Sequence, residues 1–189
     1  MWVEEQLKEG IKVLSITHQN VLDVSSLFPY GFSITNRDKL VELFNTYGVE
    51  YNFSGHSHIQ TTIKSDTLTD YVTGSLTVSP LNYGIINVNE DSSVNYQVNH
   101  VDILNEEARE RFISVTRSKI AEEVNTLLLS DEIKEAMIDY AVEINIYYFA
   151  GDKDTLVELS KRSELNLWKE HGSATFWGLY LNSILEELE

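Results

Sequence analysis

The sequence predicts an α/β (α+β) protein in which a strand-rich first part is followed by a helical second part. In the first part, short runs of β-branched and apolar residues alternate with turns that contain Gly, Asn and Asp. After about Asn105 the apolar residues instead recur at the spacing of amphipathic helices, almost to the end of the chain. We therefore predict two domains, residues 1–104 and residues 105–189.

The first domain is predicted to alternate helices and strands before a run of strands. Met1 to Gly10 reads as a helix, and the apolar run Lys12 to Thr17 predicts a buried strand that ends at His18. A helix from about Asp38 follows, and Gly48 suits its C-terminal end. Further strands are predicted in the segments YNF, QTTIKS, DYVTGSLTV, YGIINV and NYQVNHV.

The second domain is predicted to be a small antiparallel helical bundle. Apolar residues recur at helical spacing from Glu106, and Ser130 suits the N-cap of a second helix that stops near Gly151. Two more helices are predicted at about Asp154–Glu170 and Ala174–Glu187. The Gly172-Ser173 pair between them combines a helix stop with an N-cap.

Composition disfavours two classes of partner and one class of metal site. The chain of 189 residues carries 14 Lys and Arg against 30 Asp and Glu, a formal charge of -16 that repels phosphate backbones and anionic lipids. We expect no nucleic-acid and no membrane partner. There is no cysteine, so any metal must be held by His, carboxylate or amide groups. Without a signal peptide pattern or a long apolar window, we expect a cytoplasmic protein.

Three of the five histidines lie where two predicted strands end. His18 follows the first strand, and His56 and His58 lie in the turn G-H-S-H after the second. If these strands are parallel neighbours, all three imidazoles reach one carboxyl edge of the sheet, where open α/β sheets bind ligands. Imidazoles in such a turn can hold a divalent ion. For an isolated H-x-H, a capping or surface role is the competing interpretation.

The segments VLSITHQN, VEYNFSGHSHIQ and DYVTGSLTVSPLNYGIINV, in this order, resemble the second half of calcineurin-like metallophosphoesterases over about residues 1–100. The resemblance implies part of a β-sandwich with flanking helices, two divalent metal ions (Mn, Fe or Zn) and a phosphoester substrate. It also implies that His18 and His56 bind one ion and that His58 binds the other. Asn20, beside His18, is a candidate for substrate contact, with a turn role as the alternative.

The early motifs of that family, D-x-H, G-D and G-N-H followed by Asp or Glu, have no counterpart here. The Gly151-Asp152 pair follows a predicted helix and suits a helix C-cap instead. Three imidazoles without the bridging carboxylate lack the charge that stabilises a dinuclear centre. We therefore expect a phosphoesterase fragment that is inactive alone, binds little metal, and pairs with the missing N-terminal half or with itself to cover its unpaired strand edges.

Two alternatives remain open at this point. The chain could be a non-catalytic binding or oligomerisation module with a vestigial histidine cluster. That alternative predicts an exposed apolar stripe, for which ordinary helix packing is the competing interpretation, around the aromatic residues Tyr140, Tyr147, Tyr148 and Phe149. It could also be a mononuclear zinc hydrolase that uses the three histidines as ligands.

Overall fold

A computed structural model of the chain describes residues 2–25, 27 and 31–188. The described chain forms two compact units. The first consists of Met1–Ser75 and Asn82–Asn99, and the second of Leu76–Leu81 and His100–Glu189. Strands dominate the first unit and helices the second, so the predicted mixed α/β (α+β) class is confirmed.

The first unit contains a four-stranded sheet. Its elements in chain order are α1 (Trp2–Lys8), β1 (Ser15–Ile16), α2 (Arg37–Tyr47), β2 (Tyr51–Ser54), β3 (Thr61–Lys64) and β4 (Thr69–Val72). The strand order is β1-β2-β4-β3, with β1, β2 and β4 parallel and β3 antiparallel to β4. A separate pair of strands follows, β5 (Asn82–Val88) and β6 (Val94–His100). The predicted parallel pairing of the first two strands is confirmed.

The core of the first unit forms around α2. Gly48 adopts the left-handed conformation (φ 69°) that ends this helix, as predicted. Phe44 of α2 is buried and packs into a cluster with Leu7, Val21, Val49 and Leu68. Leu40, Leu43 and Tyr47 of the same helix also pack against this cluster, so one apolar face of α2 meets the core.

The strand predicted over Lys12 to Thr17 is observed, but its predicted length and burial were wrong. Only Ser15–Ile16 form β1, and the side chains of Leu14 and Ile16 are 40% and 77% exposed. The physical reason is position, because β1 lies at one end of the strand order and pairs within the described chain with β2 alone. An apolar run indicates that other elements must pack on a strand to bury it, but it does not show that those elements are present. The predicted first helix is observed as α1, and Met1 lies outside the described residues.

The second unit is helical, as predicted. It contains α3 (Asn105–Val124), α4 (Asp131–Ala150), α5 (Lys153–Leu159), α6 (Glu164–Leu167), a π-helical turn (Trp168–Gly172) and α7 (Phe176–Glu186). The side chain of Ser130 accepts a hydrogen bond from the Ile133 N–H at the start of α4. Gly151 ends α4 in the left-handed conformation (φ 75°). Both helix boundaries follow the predicted capping chemistry. No helix in the part of the chain described here is long and apolar enough to cross a membrane.

The single helix predicted for Asp154–Glu170 was wrong, and so was the N-cap predicted at Ser173. The segment divides into α5, α6 and the π-helical turn, while Thr175 caps α7 by accepting from the Gly178 N–H. The indole of Trp168 is buried and donates to the Met137 carbonyl (2.9 Å). We attribute the irregular turn to this anchored ring, because tertiary packing overrides helix periodicity.

Two glycines allow the π-helical turn and α7 to pack closely. A Cβ atom on Gly172 would lie 2.5 Å from the Trp168 ring. A Cβ atom on Gly178 would overlap the Gly172 carbonyl oxygen and lie 2.7 Å from its carbon. The second contact is with main-chain atoms, which cannot rotate away as a side chain can. Gly178 is therefore required by packing, even though glycine weakens a helix.

Candidate functional site

His18 and His56 are brought together by the pairing of β1 with β2. The Thr17 N–H donates to the Phe53 carbonyl (2.9 Å), which continues the strand pairing beyond β1. The His18 carbonyl then accepts from the N–H groups of Gly55 (3.2 Å) and His56 (2.9 Å). Because the carboxyl ends of parallel strands meet at one sheet edge, both imidazoles lie at that edge.

The two rings meet through their nitrogens. His56 Nδ1 lies 2.8 Å from His18 Nε2, and the ring centroids are 4.7 Å apart at an interplanar angle of 73°. His18 is exposed and His56 half-buried, with Phe32 5.6 Å from the His56 ring. When both rings are neutral, one nitrogen donates its proton and the other accepts it.

Two imidazoles that bind one metal ion must bring their nitrogens close together. With metal–nitrogen bonds of about 2.1 Å at the tetrahedral angle, those nitrogens lie about 3.4 Å apart. The observed 2.8 Å is the distance of a direct hydrogen bond between the two rings, so the nitrogens must separate by about 0.6 Å to hold one ion. However, the described residues include no group of three or more His, Cys, Asp or Glu side chains that could hold a metal ion. The pair fits half of a mononuclear ligand set, and these residues alone do not fit a dinuclear centre.

His58 lies in the same turn but outside this pair. Its side chain is exposed, and its backbone adopts the left-handed conformation (φ 59°) while its N–H donates to the Gly55 carbonyl (3.1 Å). The structure therefore joins two of the three predicted ligands and leaves the third apart. The assignment of His58 to a separate ion stays a prediction.

A buried polar network lies between the segments that carry the two rings. Asp70 on β4 has no exposed surface, and its carboxylate accepts four hydrogen bonds. The donors are the N–H groups of Val21 and Leu22, the Asn52 amide and the Ser54 hydroxyl. Two acceptor positions on each oxygen account for all four bonds. Buried polar groups satisfied in this way make a rigid connection.

Asn20 belongs to the same network. It is fully buried, and its side-chain amide donates to the Ser54 hydroxyl (2.8 Å). Its main chain donates to the Phe32 carbonyl and accepts from the Ile34 N–H, both at 3.0 Å. This position matches the turn role considered above for Asn20, and its substrate contact stays a prediction.

Asp70 and Asn52 were missed by the sequence analysis, although a signal was present. Leu68, directly before β4, alternates with Asp70 and Val72 inside the strand, and each of the three is 0% exposed. Alternation with period two places all three on one face of the strand. An aspartate at an apolar-face position of a short strand indicates a buried carboxylate that requires several donors. Asn52, its register partner on β2, supplies one of them.

The aromatic residues of α4 are packed rather than presented to a partner. Tyr140 is 0% and Tyr148 7% exposed, so the exposed stripe predicted by the binding-module alternative is absent at these two positions. The Tyr140 hydroxyl donates to the Leu159 carbonyl (3.1 Å), and burial raises the pKa of this tyrosine to about 12. Burial also raises the pKa of Tyr180, whose hydroxyl donates to Asn145 (2.7 Å).

The second half of the chain identifies the class of protein. Residues 94–189, just over half of the chain, match the family described as the C-terminal domain of cyclic nucleotide phosphodiesterase. The match begins in β6 and continues through the helical unit, and it relates the protein to phosphoesterases.

The chain belongs to this C-terminal domain family. A search among curated proteins found no match to the chain. The family match and the calcineurin-like resemblance fall on different parts of the chain, residues 94–189 and about residues 1–100.

Proposed function

We propose that the chain is part of a metal-dependent phosphoesterase of the calcineurin-like type, in which His18 and His56 bind one metal ion. The observation that carries this proposal is the 2.8 Å separation of their ring nitrogens at the ends of two parallel strands. The family match supports phosphoester hydrolysis, and the family name makes a cyclic nucleotide the first substrate to test. His58 is our proposed ligand of a second ion.

The negative charge of the chain opposes the binding of an anionic substrate, and a cation at the centre would reduce that repulsion. A formal charge of -16 repels an anionic phosphoester at long range. A bound divalent ion would offset that repulsion locally and lower the pKa of a coordinated water. The protein's part is to bring Nε2 of His18 and Nδ1 of His56 within 2.8 Å of one another at the sheet edge.

We further propose that the remaining ligands come from an N-terminal metallophosphoesterase half that pairs with the outer edge of β1, which has no strand partner among the described residues. Ile16 in β1 and two residues that precede the strand, Ile11 and Leu14, are apolar and at least 40% exposed. Parallel strands are normally covered on both faces, so an exposed parallel edge with these side chains fits an added strand. Self-association through the same edge is the alternative outcome.

Metal binding by the purified chain tests the proposal directly. Calorimetric titration with Zn²⁺ or Mn²⁺ is compared for the wild type, His56→Ala and His100→Ala. The control His100 is an exposed histidine whose ring lies near Asp102 (3.3 Å). We expect weak binding that disappears in His56→Ala and persists in His100→Ala, because two imidazoles give an incomplete ligand set.

Turnover is then measured with p-nitrophenyl phosphate, its bis ester and a cyclic nucleotide. We expect none from the chain alone, and turnover that depends on His18 and His56 once an N-terminal half is added. Metal binding that is equal in His56→Ala and the wild type would refute the proposed centre. Turnover by the chain alone would refute the need for a second half.

A further inference from the structure

We infer that Asp70 is a positioning residue that sets the relative placement of His18 and His56. The inference rests on the proposed function, and it assigns Asp70 no contact with metal or substrate. Both ring-bearing segments are bonded to this one buried carboxylate, each through a different oxygen atom.

One oxygen holds the segment that follows His18. Asp70 Oδ2 accepts from the N–H groups of Val21 (2.8 Å) and Leu22 (3.1 Å), three and four residues after the histidine. These are main-chain donors, so the bonds fix the path of the backbone rather than one side chain. Charge-assisted bonds of this kind are stronger than neutral ones.

The other oxygen holds the strand that precedes His56. Asp70 Oδ1 accepts from the Asn52 amide (2.7 Å) and the Ser54 hydroxyl (2.9 Å). Ser54 is the last residue of β2, directly before the Gly55-His56 turn, and also accepts from Asn20. Asn52 in addition donates to Thr17, the residue before His18 (3.2 Å). The network therefore crosses between the two segments at several points.

Loss of the carboxylate leaves these donors without an acceptor in a site that excludes water. The two segments are then held to one another by main-chain bonds and by the Asn20–Ser54 and Asn52–Thr17 side-chain bonds, without the carboxylate that orients these side chains, and the spacing of the rings becomes variable. A metal site whose ligands are held loosely binds its ion about 10-fold to 100-fold more weakly. Asp70→Asn keeps one oxygen for the Val21 and Leu22 N–H groups and is the conservative variant.

Two measurements test the inference. The first is the nuclear Overhauser contact between the two imidazole rings in the metal-free chain. The second is Zn²⁺ affinity by calorimetry. We expect Asp70→Ala to lose the ring contact and to lower affinity about 10-fold or more, with partial recovery in Asp70→Asn. The control is Phe44→Ala, which removes a buried ring of the same unit that takes no part in the network.

The outcomes separate this inference from the proposed function. If Asp70→Ala keeps both the ring contact and wild-type affinity, or if Phe44→Ala disturbs them equally, the inference is wrong while the metal centre stands. If the wild type binds no Zn²⁺, the proposed centre is wrong, and the ring contact still decides the role of Asp70. If Asp70→Ala does not fold, Ser54→Ala removes one of the four bonds and is expected to weaken the ring contact.

Discussion

Replacing Gly178 by alanine should destabilise the helical unit, against the usual effect of this change in a helix. Alanine is favoured over glycine in a helix interior by about 1 kcal/mol. Here the added Cβ would overlap the Gly172 carbonyl oxygen and lie 2.7 Å from the carbonyl carbon. Overpacking typically costs about 1–3 kcal/mol, and the upper end applies because main-chain atoms must move. The net expectation is a loss of about 2 kcal/mol.

Urea denaturation followed by far-ultraviolet circular dichroism measures this change. With a urea dependence of about 2 kcal/mol per molar, a loss of about 2 kcal/mol lowers the unfolding midpoint by about 1 M. The control is Asn182→Ala, at an exposed position of the same helix. It should change stability by no more than about 0.5 kcal/mol, since it alters only propensity and a surface contact.

A Gly178→Ala chain that is as stable as the wild type, or more stable, would refute the reasoning. That result would mean that the π-helical turn moves away from α7 at little cost. A loss of the same size in Asn182→Ala would instead show that α7 tolerates no change at all, and the packing argument would lose its specificity.

The remaining predictions also concern the helical unit. Glu123 accepts from the first two N–H groups of α7, so Glu123→Ala should lower stability in urea by about 1–2 kcal/mol, while Glu122→Ala, at an exposed position, changes it by less than about 0.5 kcal/mol. Burial raises the pKa of Tyr140 from 10.0 to about 12, so the unfolded chain loses the hydroxyl proton at a lower pH than the folded chain does. The contribution of Tyr140 to the free energy of unfolding is therefore fully present below pH 10 and is lost as the pH rises to about 12. Tyr140→Phe should reduce this loss of stability at alkaline pH. A circular dichroism curve against pH that is the same for Tyr140→Phe and the wild type would contradict the prediction. The hydrogen bond from Arg162 lowers the pKa of Glu164 from 4.5 to about 2. The stabilisation that this carboxylate gives the folded chain is therefore present above pH 4.5 and is lost as the pH falls to about 2. Glu164→Gln should remove this dependence of stability on acid pH.

The elements that could be predicted are those whose cause is local. Gly48 and Gly151 end helices because a left-handed residue is needed there, and Ser130 begins one because its side chain can accept a main-chain N–H. The pairing of His18 with His56 could also be anticipated, since it requires only that two short strands be parallel neighbours. The helix ends depend on a few consecutive residues, whereas the histidine pairing also required the parallel arrangement that we assumed for the two strands.

The features that were missed depend on neighbours distant in sequence. The exposure of β1 depends on which strands lie beside it, and an apolar run carries no information about that. The division of the helix predicted for Asp154–Glu170 follows the burial of Trp168 against α4. The alternation of Leu68, Asp70 and Val72 indicates that Asp70 is buried, but it does not identify the donors, the nearest of which is 16 residues away.

The bonds made by the His18 carbonyl bear on how far this site can vary. Its two donors are the main-chain N–H groups of Gly55 and His56, so the closest link between the ring-bearing segments uses no side chain. The side chain of a half-buried neighbour such as Gln19 can therefore change without removing these two bonds. A designer who wished to install other ligands at this sheet edge could replace both rings and keep these two main-chain bonds, provided that the Asp70 network is left intact.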